Sequence, residues 1–179
     1  MVTISKAAGY VIRPLEARDN RAAFCCGNTN VDRFFHDSAV KCAESGLSLV
    51  WVAAHSKFNT IAGFYTLTSS QVGFGEIPEA IVKKHGLRNK TTIPVTLLGQ
   101  FGVHNDFQNS GNGKLLCMSA LNKSLQASKL VASLGVFLKA RTDLARAFWA
   151  KREFTSLGVR DDGLEHFFMS MEHIEKLAQ

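Results

Sequence analysis

The chain has 179 residues, enough for one domain with a sizeable core, and 46% hydrophobic and 20% charged residues give it the balance of a globular protein. No apolar run is long enough to span a membrane and the N-terminus carries no signal-peptide core, so we expect a cytoplasmic protein. The net charge of +6 favours an anionic partner, such as nucleic acid, an acidic protein or a phosphorylated cofactor.

The four cysteines are Cys25, Cys26, Cys42 and Cys117. None forms a C-x-x-C pair, and no histidine stands at metal-ligand spacing beside them. A bridge between the adjacent Cys25 and Cys26 would be strained. We therefore predict buried, reduced thiols and no metal site.

The first predicted elements are a strand, two helices and a hairpin. Residues 10–13 predict a short strand that ends at Pro14, and residues 20–25 predict a short helix. Asn30 is the predicted N-cap of a second helix, which ends near Gly46.

The hairpin follows in the next part of the chain. Residues 47–55 and 61–69 are rich in β-forming side chains, and residues 56–60 between them form a polar turn. Pro78 then begins a helix over residues 79–85.

The second half of the chain alternates strands and helices. Its predicted elements are a strand over 95–103, a helix over 114–130, a strand over 134–140, a helix over 143–152 capped by Thr142, and a strand over 165–171. No repeat or linker interrupts the pattern, which predicts a single α+β domain over residues 1–179.

The segment 108–114, Gln-Asn-Ser-Gly-Asn-Gly-Lys, lies between a predicted strand and a predicted helix. A glycine-rich bend at a helix start presents backbone N–H groups at the positive end of the helix dipole, where phosphate binds. Gly111 and Gly113 permit unusual dihedral angles and the close approach of a ligand. Lys114 adds a positive charge that an anion would balance. An ordinary surface turn fits the same pattern.

Two familiar nucleotide-binding motifs do not fit this segment. The sequence G-x-x-x-x-G-K-[ST] of a Walker A loop is absent. A Rossmann unit needs an acidic residue at the end of the next strand, where this chain has Lys139 and Arg141.

Basic residues concentrate in two short stretches of the chain. They are Lys83, Lys84, Arg88 and Lys90 in one stretch, and Arg141, Arg146, Lys151 and Arg152 in the other. Each cluster is typical of a solvated face, but two clusters on one small domain make RNA a candidate partner.

The pattern Q-x-x-G-x-G between a strand and a helix resembles the acetyl-coenzyme A (acetyl-CoA) motif of the GNAT N-acetyltransferases. The resemblance covers about residues 12–171 and is strongest to the GNAT toxins of bacterial toxin–antitoxin pairs. The segments that carry it are FCCG at 24–27, VDRFF at 31–35, IAGFYTLTS at 61–69, IPVTLLGQFGV at 93–103 and AFW at 147–149.

The resemblance implies a GNAT fold, a twisted mixed sheet flanked by helices in which acetyl-CoA lies between two splayed strands. It implies that the backbone of Phe101, Gly102 and Val103 binds the pantetheine arm. The backbone N–H groups implied to bind the diphosphate belong to Gln108, Asn109, Ser110, Gly111, Asn112, Gly113 and Lys114.

The resemblance also implies a function. Members of this toxin branch acetylate the amino group of an aminoacyl-tRNA, are often dimers, and pair with a small ribbon-helix-helix antitoxin. Two alternatives remain open for this chain: a GNAT-fold module that binds acetyl-CoA with weakened catalysis, and an acetyltransferase for a small-molecule amine.

Trp149 is the main departure from the family pattern, because the branch has a tyrosine there that is thought to act as general acid. An indole N–H donates a hydrogen bond but is too weak an acid to release its proton at neutral pH. Three roles stay open for Trp149: a hydrogen-bond surrogate, a packing residue in an enzyme that uses another donor, or the mark of an inactive acetyl-CoA-binding protein.

Smaller departures and candidates lie elsewhere. Gln100 replaces a frequent arginine and Glu153 replaces a usual glycine, which both bear on substrate docking. His104, at the strand end, is a candidate base or a plain surface histidine. Tyr65 is a candidate acceptor contact or a core residue.

Overall fold

Seven strands form a mixed sheet in a computed structural model, which describes residues 9–55, 60–87 and 91–178. The strands are β1 Tyr10–Pro14, β2 Leu49–His55, β3 Ile61–Gly73, β4 Thr92–Val103, β5 Gly135–Ala140, β6 Thr155–Val159 and β7 Glu165–Ser170. The helices are α1 Thr29–Arg33, α2 Ala39–Glu44, α3 Glu79–Lys84, α4 Asn112–Ser128, α5 Asp143–Ala150 and α6 Met171–Leu177. The fold is therefore α+β, as predicted.

The chain divides into two compact units, each built from two segments. Unit 1 comprises Met1–Thr68 and Leu98–Ala120, and unit 2 comprises Ser69–Leu97 and Leu121–Gln179. Because the boundaries fall inside β3, β4 and α4, these elements contribute residues to both units.

Unit 1 holds the strand order β1-β2-β3-β4, and β1 and β3 both run antiparallel to β2. Its core packs aromatic rings from the N-terminal segment against β3: the rings of Phe35 and Phe64 stack at 4.2 Å, and Phe24 meets Phe64 edge-on at 5.3 Å. A π-helical turn, Phe34–Ser38, joins α1 to α2 and carries Phe35 into this core.

Unit 2 holds the strand order β3-β4-β5-β7-β6. The β4–β5 pair is parallel, through Thr96 with Val136 and Leu97 with Phe137, and β7 is antiparallel to both of its neighbours. The core of this unit contains Val72, Ile77, Val82, Ile93, Val95, Phe137 and Phe168.

Most predicted strands and helices are confirmed, including β1, the β2–β3 hairpin and α5 with its Thr142 cap. The hairpin turn at 56–59 lies outside the described residues. The short helix predicted over residues 20–25 is wrong, because that segment forms turns and irregular backbone. The predicted N-cap Asn30 is also wrong: α1 begins at Thr29, and its cap is Asn28, whose side chain accepts the N–H groups of Asn30 and Val31.

Two elements at the end of the chain were not predicted from the sequence, β6 and α6. The final strand ends one residue earlier than predicted, at Ser170, because that side chain caps α6 by accepting the N–H of His173.

In the described parts of the chain, no helix is both long and apolar enough to cross a membrane.

Candidate functional site

The predicted phosphate-binding loop, residues 108–113 and hereafter called the phosphate-binding loop for its predicted role, lies between β4 and α4 as expected. β4 ends at Val103, a 3-10 turn spans Asn105–Phe107, and α4 begins at Asn112, two residues before the predicted start. The loop lies wholly within unit 1.

Two residues of the loop have left-handed backbone, Asn109 with φ of 58° and Gly111 with φ of 88°. Glycine adopts this conformation freely, and asparagine tolerates it better than most residues. A Cβ atom at Gly111 would meet nothing within 4 Å, so the space beside this backbone is open. The prediction of an unusual dihedral angle at Gly113 is wrong, because Gly113 is the second residue of α4 and does not have a positive φ.

The N-terminus of α4 leaves its first N–H groups outside the helical hydrogen bonds. The helical hydrogen bonds begin with Leu115, whose N–H donates to the carbonyl of Gly111 at 3.1 Å. The N–H groups of the preceding residues lie beyond the helical ladder, as at every helix start. They combine with the helix dipole to favour an anion here.

Side chains of the loop stabilise its own backbone. The Ser110 hydroxyl donates to the Phe107 carbonyl at 2.7 Å, and the buried Asn112 amide donates to the same carbonyl at 3.0 Å and to Ser110 Oγ at 2.9 Å. The amide of Gln108 also points into the fold. Lys114, by contrast, is exposed to solvent. The side chains of Gln108, Ser110 and Asn112 therefore serve the structure of the loop itself.

The strand that leads to the loop is tightly packed at Gly102. A Cβ atom there would lie 3.0 to 3.2 Å from Val31, Phe64 and Phe24. The close approach at this glycine is therefore to core side chains of unit 1. Phe101 and Val103, on either side, are half-buried.

Sequence reasoning missed the contribution of Thr66. Its buried hydroxyl accepts the N–H of Gln100 at 2.8 Å, and a Cβ atom at Gly99 would lie 3.1 Å from it. A threonine inside an apolar strand was the only signal, and it is common in ordinary strands.

The two other candidates in unit 1 have structural roles. His104 Nε2 lies 3.2 Å from the Ala23 carbonyl, and Nδ1 lies 3.2 Å from the Asp106 backbone N–H, so both ring nitrogens are used within the fold. Tyr65 is fully buried, with its hydroxyl 2.8 Å from Ser119 Oγ. These contacts favour a structural histidine at position 104 over a catalytic base. They likewise favour a core residue at Tyr65 over a contact to the acceptor.

Trp149 lies in α5, within unit 2, and is only 5% exposed. Its ring meets Phe148 edge-on at 4.8 Å and Phe154 at 5.3 Å. The Arg152 guanidinium lies 3.3 Å above the Phe148 ring and donates to the Phe148 carbonyl. The Trp149 ring is therefore part of an aromatic cluster in unit 2, and the three roles left open for it stay predictions.

The basic clusters are partly neutralised by carboxylates. Lys83 pairs with Glu79, Lys84 with Glu172, and Arg146 with Asp143 and Glu165. Arg88 and Lys90 lie outside the described residues. Three described cations of the two clusters thus form ion pairs at the protein surface, and Arg141 and Lys151 are exposed cations.

All four cysteines are free thiols, but the burial expected for each is confirmed only at Cys117, because Cys26 and Cys42 are half-buried and Cys25 is exposed. Burial, together with a hydrogen bond involving Asp32, raises the pKa of Cys26 to about 12, so this thiol stays protonated. Among the described residues, no group of histidine, cysteine and acidic side chains is arranged to hold a metal ion.

No protein-family model matches the chain. A protein from Sinorhizobium fredii (strain NBRC 101917 / NGR234), named "Probable toxin TacT", is 30% identical over 121 residues, which are 65% of this chain and 64% of that protein. The chain thus spans slightly less than two thirds of that relative.

Solved structures of bacterial toxins match almost the whole chain. AtaT in complex with acetyl-methionyl-tRNAfMet has a TM-score of 0.84 at 21% identity, over 95% of this chain and 99% of AtaT. A tyrosine-to-phenylalanine mutant of KacT has a TM-score of 0.84 at 21% identity, over 94% and 99%. A mutant AtaT bound to acetyl-CoA and the C-terminus of the antitoxin AtaR has a TM-score of 0.78 at 20% identity, over 96% and 99%.

AtaT and KacT are GNAT-fold toxins of toxin–antitoxin systems. This chain shares their fold, a mixed seven-stranded sheet flanked by helices.

Proposed function

We propose that this chain is an acetyl-CoA-dependent N-acetyltransferase that acetylates the amino group of an aminoacyl-tRNA, as the toxin of a toxin–antitoxin pair. The phosphate-binding loop carries the proposal, because its left-handed turn delivers open N–H groups to the start of the 17-residue helix α4. The fold supports it too, since the toxins that share the fold include AtaT, which binds acetyl-CoA and an acetylated aminoacyl-tRNA.

The loop fits a diphosphate in its donor chemistry and in its space. Ser110 and Asn112 direct their side chains to the Phe107 carbonyl, so these side chains serve the loop itself and the backbone N–H groups are the donors that we assign to the ligand. The open space beside Gly111 admits a ligand close to the backbone. We assign the diphosphate to the backbone from Gln108 to Lys114, and the pantetheine arm to the strand residues Phe101, Gly102 and Val103.

The chemistry that this assignment serves is acyl transfer from a thioester to an amine. The amine nitrogen forms a bond to the acetyl carbonyl carbon, the carbon–sulfur bond breaks, and the thiolate gains a proton as the nitrogen loses one. An ordinary thiol has a pKa near 8.5, so the thiolate is a good leaving group and needs little acid assistance. Holding the two reactants together supplies much of the rate. We therefore assign Trp149 to packing.

The charge of the chain suits this acceptor. A net charge of +6 attracts the phosphate backbone of tRNA, and Arg141 and Lys151 are exposed cations in unit 2. We extend the proposal to a cytoplasmic protein with one functional domain over residues 1–179, which forms a homodimer and binds a ribbon-helix-helix antitoxin.

A second candidate is a GNAT-fold module that binds acetyl-CoA but transfers acetyl poorly. The observation that favours it is Trp149, which is buried against Phe148 and Phe154 where the family tyrosine is expected. Such a module would bind acetyl-CoA as tightly as an active enzyme, so turnover separates the two candidates.

Calorimetry with acetyl-CoA tests the loop assignment. Gly111→Asp places a carboxylate and a Cβ atom at a left-handed position beside the diphosphate, and we expect binding to fall by more than about 100-fold. Gly46→Asp is the matched control, because Gly46 has φ of 73°, lies in the same unit, and has nothing within 4 Å of its Cβ position. Equal binding by wild type and Gly111→Asp would remove the basis of the proposal.

The acceptor is tested with labelled acetyl-CoA and mixed aminoacyl-tRNA. We expect the label on the α-amino group of the amino acid that is esterified to the tRNA. Deacylation of the tRNA should release the label as the acetylated amino acid. Label on a small amine alone would reassign the acceptor. Binding of acetyl-CoA without turnover on any amine would favour the second candidate.

A further inference from the structure

We propose that Gln108 is a positioning residue whose side-chain amide holds the phosphate-binding loop in its binding conformation. This inference rests on the proposed function and adds to it, because the family resemblance assigned only the backbone N–H of Gln108.

The amide nitrogen of Gln108 lies among three oxygen atoms. Nε2 is 2.9 Å from the Val103 carbonyl, 3.0 Å from the Cys26 carbonyl and 3.1 Å from Asn105 Oδ1. Backbone carbonyls only accept hydrogen bonds, so the NH2 end of the amide must face them. Its two hydrogens therefore connect the end of β4, the 3-10 turn and a segment that lies 82 residues away in sequence.

The segment at Cys26 is itself firmly held, so it makes a rigid anchor. The Cys26 N–H donates to Asp32 Oδ1 in α1 at 2.8 Å, and the Cys25 carbonyl accepts the N–H of Asn105 at 2.8 Å. Gly27 has φ of 84°, and a Cβ atom there would lie 3.4 Å from Asn105 Oδ1. The chain thus turns closely against the 3-10 turn at this point.

The loop needs such an anchor because two of the three residues directly after Gln108 are left-handed, Asn109 and Gly111. Fixing the backbone of these residues costs conformational entropy. A loop fixed before the ligand arrives does not lose that freedom on binding. Gln108 is the last residue before the left-handed turn, so its side chain sets the direction in which the loop N–H groups point.

Gln108→Met tests the inference, because methionine keeps the length of the side chain and removes both donors. We expect the Kd for acetyl-CoA to rise about tenfold, with kcat at saturation within about twofold of wild type. S-acetylpantetheine lacks the diphosphate, so kcat/KM with this donor should fall much less than kcat/KM with acetyl-CoA. Gln126→Met, on the exposed face of α4, is the matched control and should bind acetyl-CoA as wild type does.

Hydrogen exchange in the ligand-free protein gives a readout that does not depend on catalysis. We expect the amides of residues 109–113 to exchange faster in Gln108→Met and in Gln108→Glu, which turns an acceptor toward the three oxygens. Unchanged exchange and an unchanged Kd would overturn the inference. Equal losses with acetyl-CoA and S-acetylpantetheine would also overturn it, because they indicate a general structural defect. Failure of the wild type to bind acetyl-CoA, with faster loop exchange in the variants, would refute the proposed function and leave the positioning role supported.

Discussion

The hydroxyl groups of Tyr65 and Ser119 lie 2.8 Å apart and join β3 to α4 within unit 1. Burial raises the pKa of Tyr65 well above its ordinary value, so the phenol stays protonated at every physiological pH. Because α4 begins at the phosphate-binding loop, this bond helps to fix the helix whose N-terminus forms the candidate site.

A double-mutant cycle measures the contribution of the Tyr65–Ser119 bond. Ser119→Ala leaves the buried phenol without this partner, and we expect a loss of about 1–3 kcal/mol in the free energy of unfolding. Tyr65→Phe should cost about 1 kcal/mol, and the double variant should resemble Tyr65→Phe alone. Urea unfolding gives the three values, and strictly additive losses would show that the two hydroxyls do not interact.

Trp149→Tyr tests whether the family tyrosine is needed in this chain. Trp149 packs against Phe148 and Phe154, so the smaller ring should lower the free energy of unfolding by about 1–2 kcal/mol. We expect kcat to rise less than tenfold, because a thiolate leaves with little acid assistance. A rise of 100-fold or more would instead identify a decayed active site, in line with the typical contribution of a general acid.

Glu153 occupies a left-handed position, with φ of 63°, where the family has glycine. Its carboxylate lies 3.0 Å from His173 Nε2, but the two side chains are 62% and 41% exposed, so the pair contributes less than about 1 kcal/mol. The backbone strain costs about 1–2 kcal/mol. We expect Glu153→Gly to raise the thermal midpoint and Glu153→Ala, which keeps the strain and loses the pair, to lower it. The reverse order would show that the ion pair outweighs the strain.

The Arg13–Asp19 pair should make stability depend on pH. Burial alone would raise the pKa of Asp19, but the hydrogen bonds from Arg13, at 2.6 and 2.9 Å, and from the Glu16 N–H hold it below the ordinary value. The carboxylate therefore stabilises the fold above the unfolded-state pKa near 3.9, and this stabilisation is lost as the pH falls through the lower folded-state pKa.

Asp19→Asn is the variant that tests this pH dependence. We expect it to lose about 1.5–3 kcal/mol of unfolding free energy at pH 7, and the difference from wild type to shrink below pH ~4. Glu16→Gln, in the exposed pair with Arg18, is the control and should cost less than about 1 kcal/mol. A constant difference between pH 7 and pH 3 would contradict the assignment.

The strands and the loop could be predicted because their signals are local. β2 and β3 are dense in β-forming residues, and Thr142 directly precedes α5, so composition and capping were enough. The segment 20–25 is held instead by distant partners, as the bond from the Asn105 N–H to the Cys25 carbonyl shows. β6 was missed because four of its five residues are exposed and Gly158 has φ of 81°.

In the candidate site, too, the features set by neighbouring residues could be predicted, and those set by residues distant in sequence could not. The position of the loop before α4 and the left-handed Gly111 were predictable from glycine chemistry. The packing of Gly102 and the anchor of Gln108 were not, because Val31, Phe24 and Cys26 come from a segment more than 70 residues earlier. The aromatic surroundings of Trp149 also depend on Phe154, which follows the helix.

The chain passes between the two units three times, within β3, β4 and α4. Consequently, a ribosome must synthesise residues 69–97 before it can deliver the second segment of unit 1. A chain truncated before Ala120 lacks part of both units. Once Ala120 has been synthesised, every residue of unit 1 is present, whereas unit 2 still lacks Leu121–Gln179. During translation unit 1 can therefore acquire its structure first, but only with the first segment of unit 2 already inserted between its two segments.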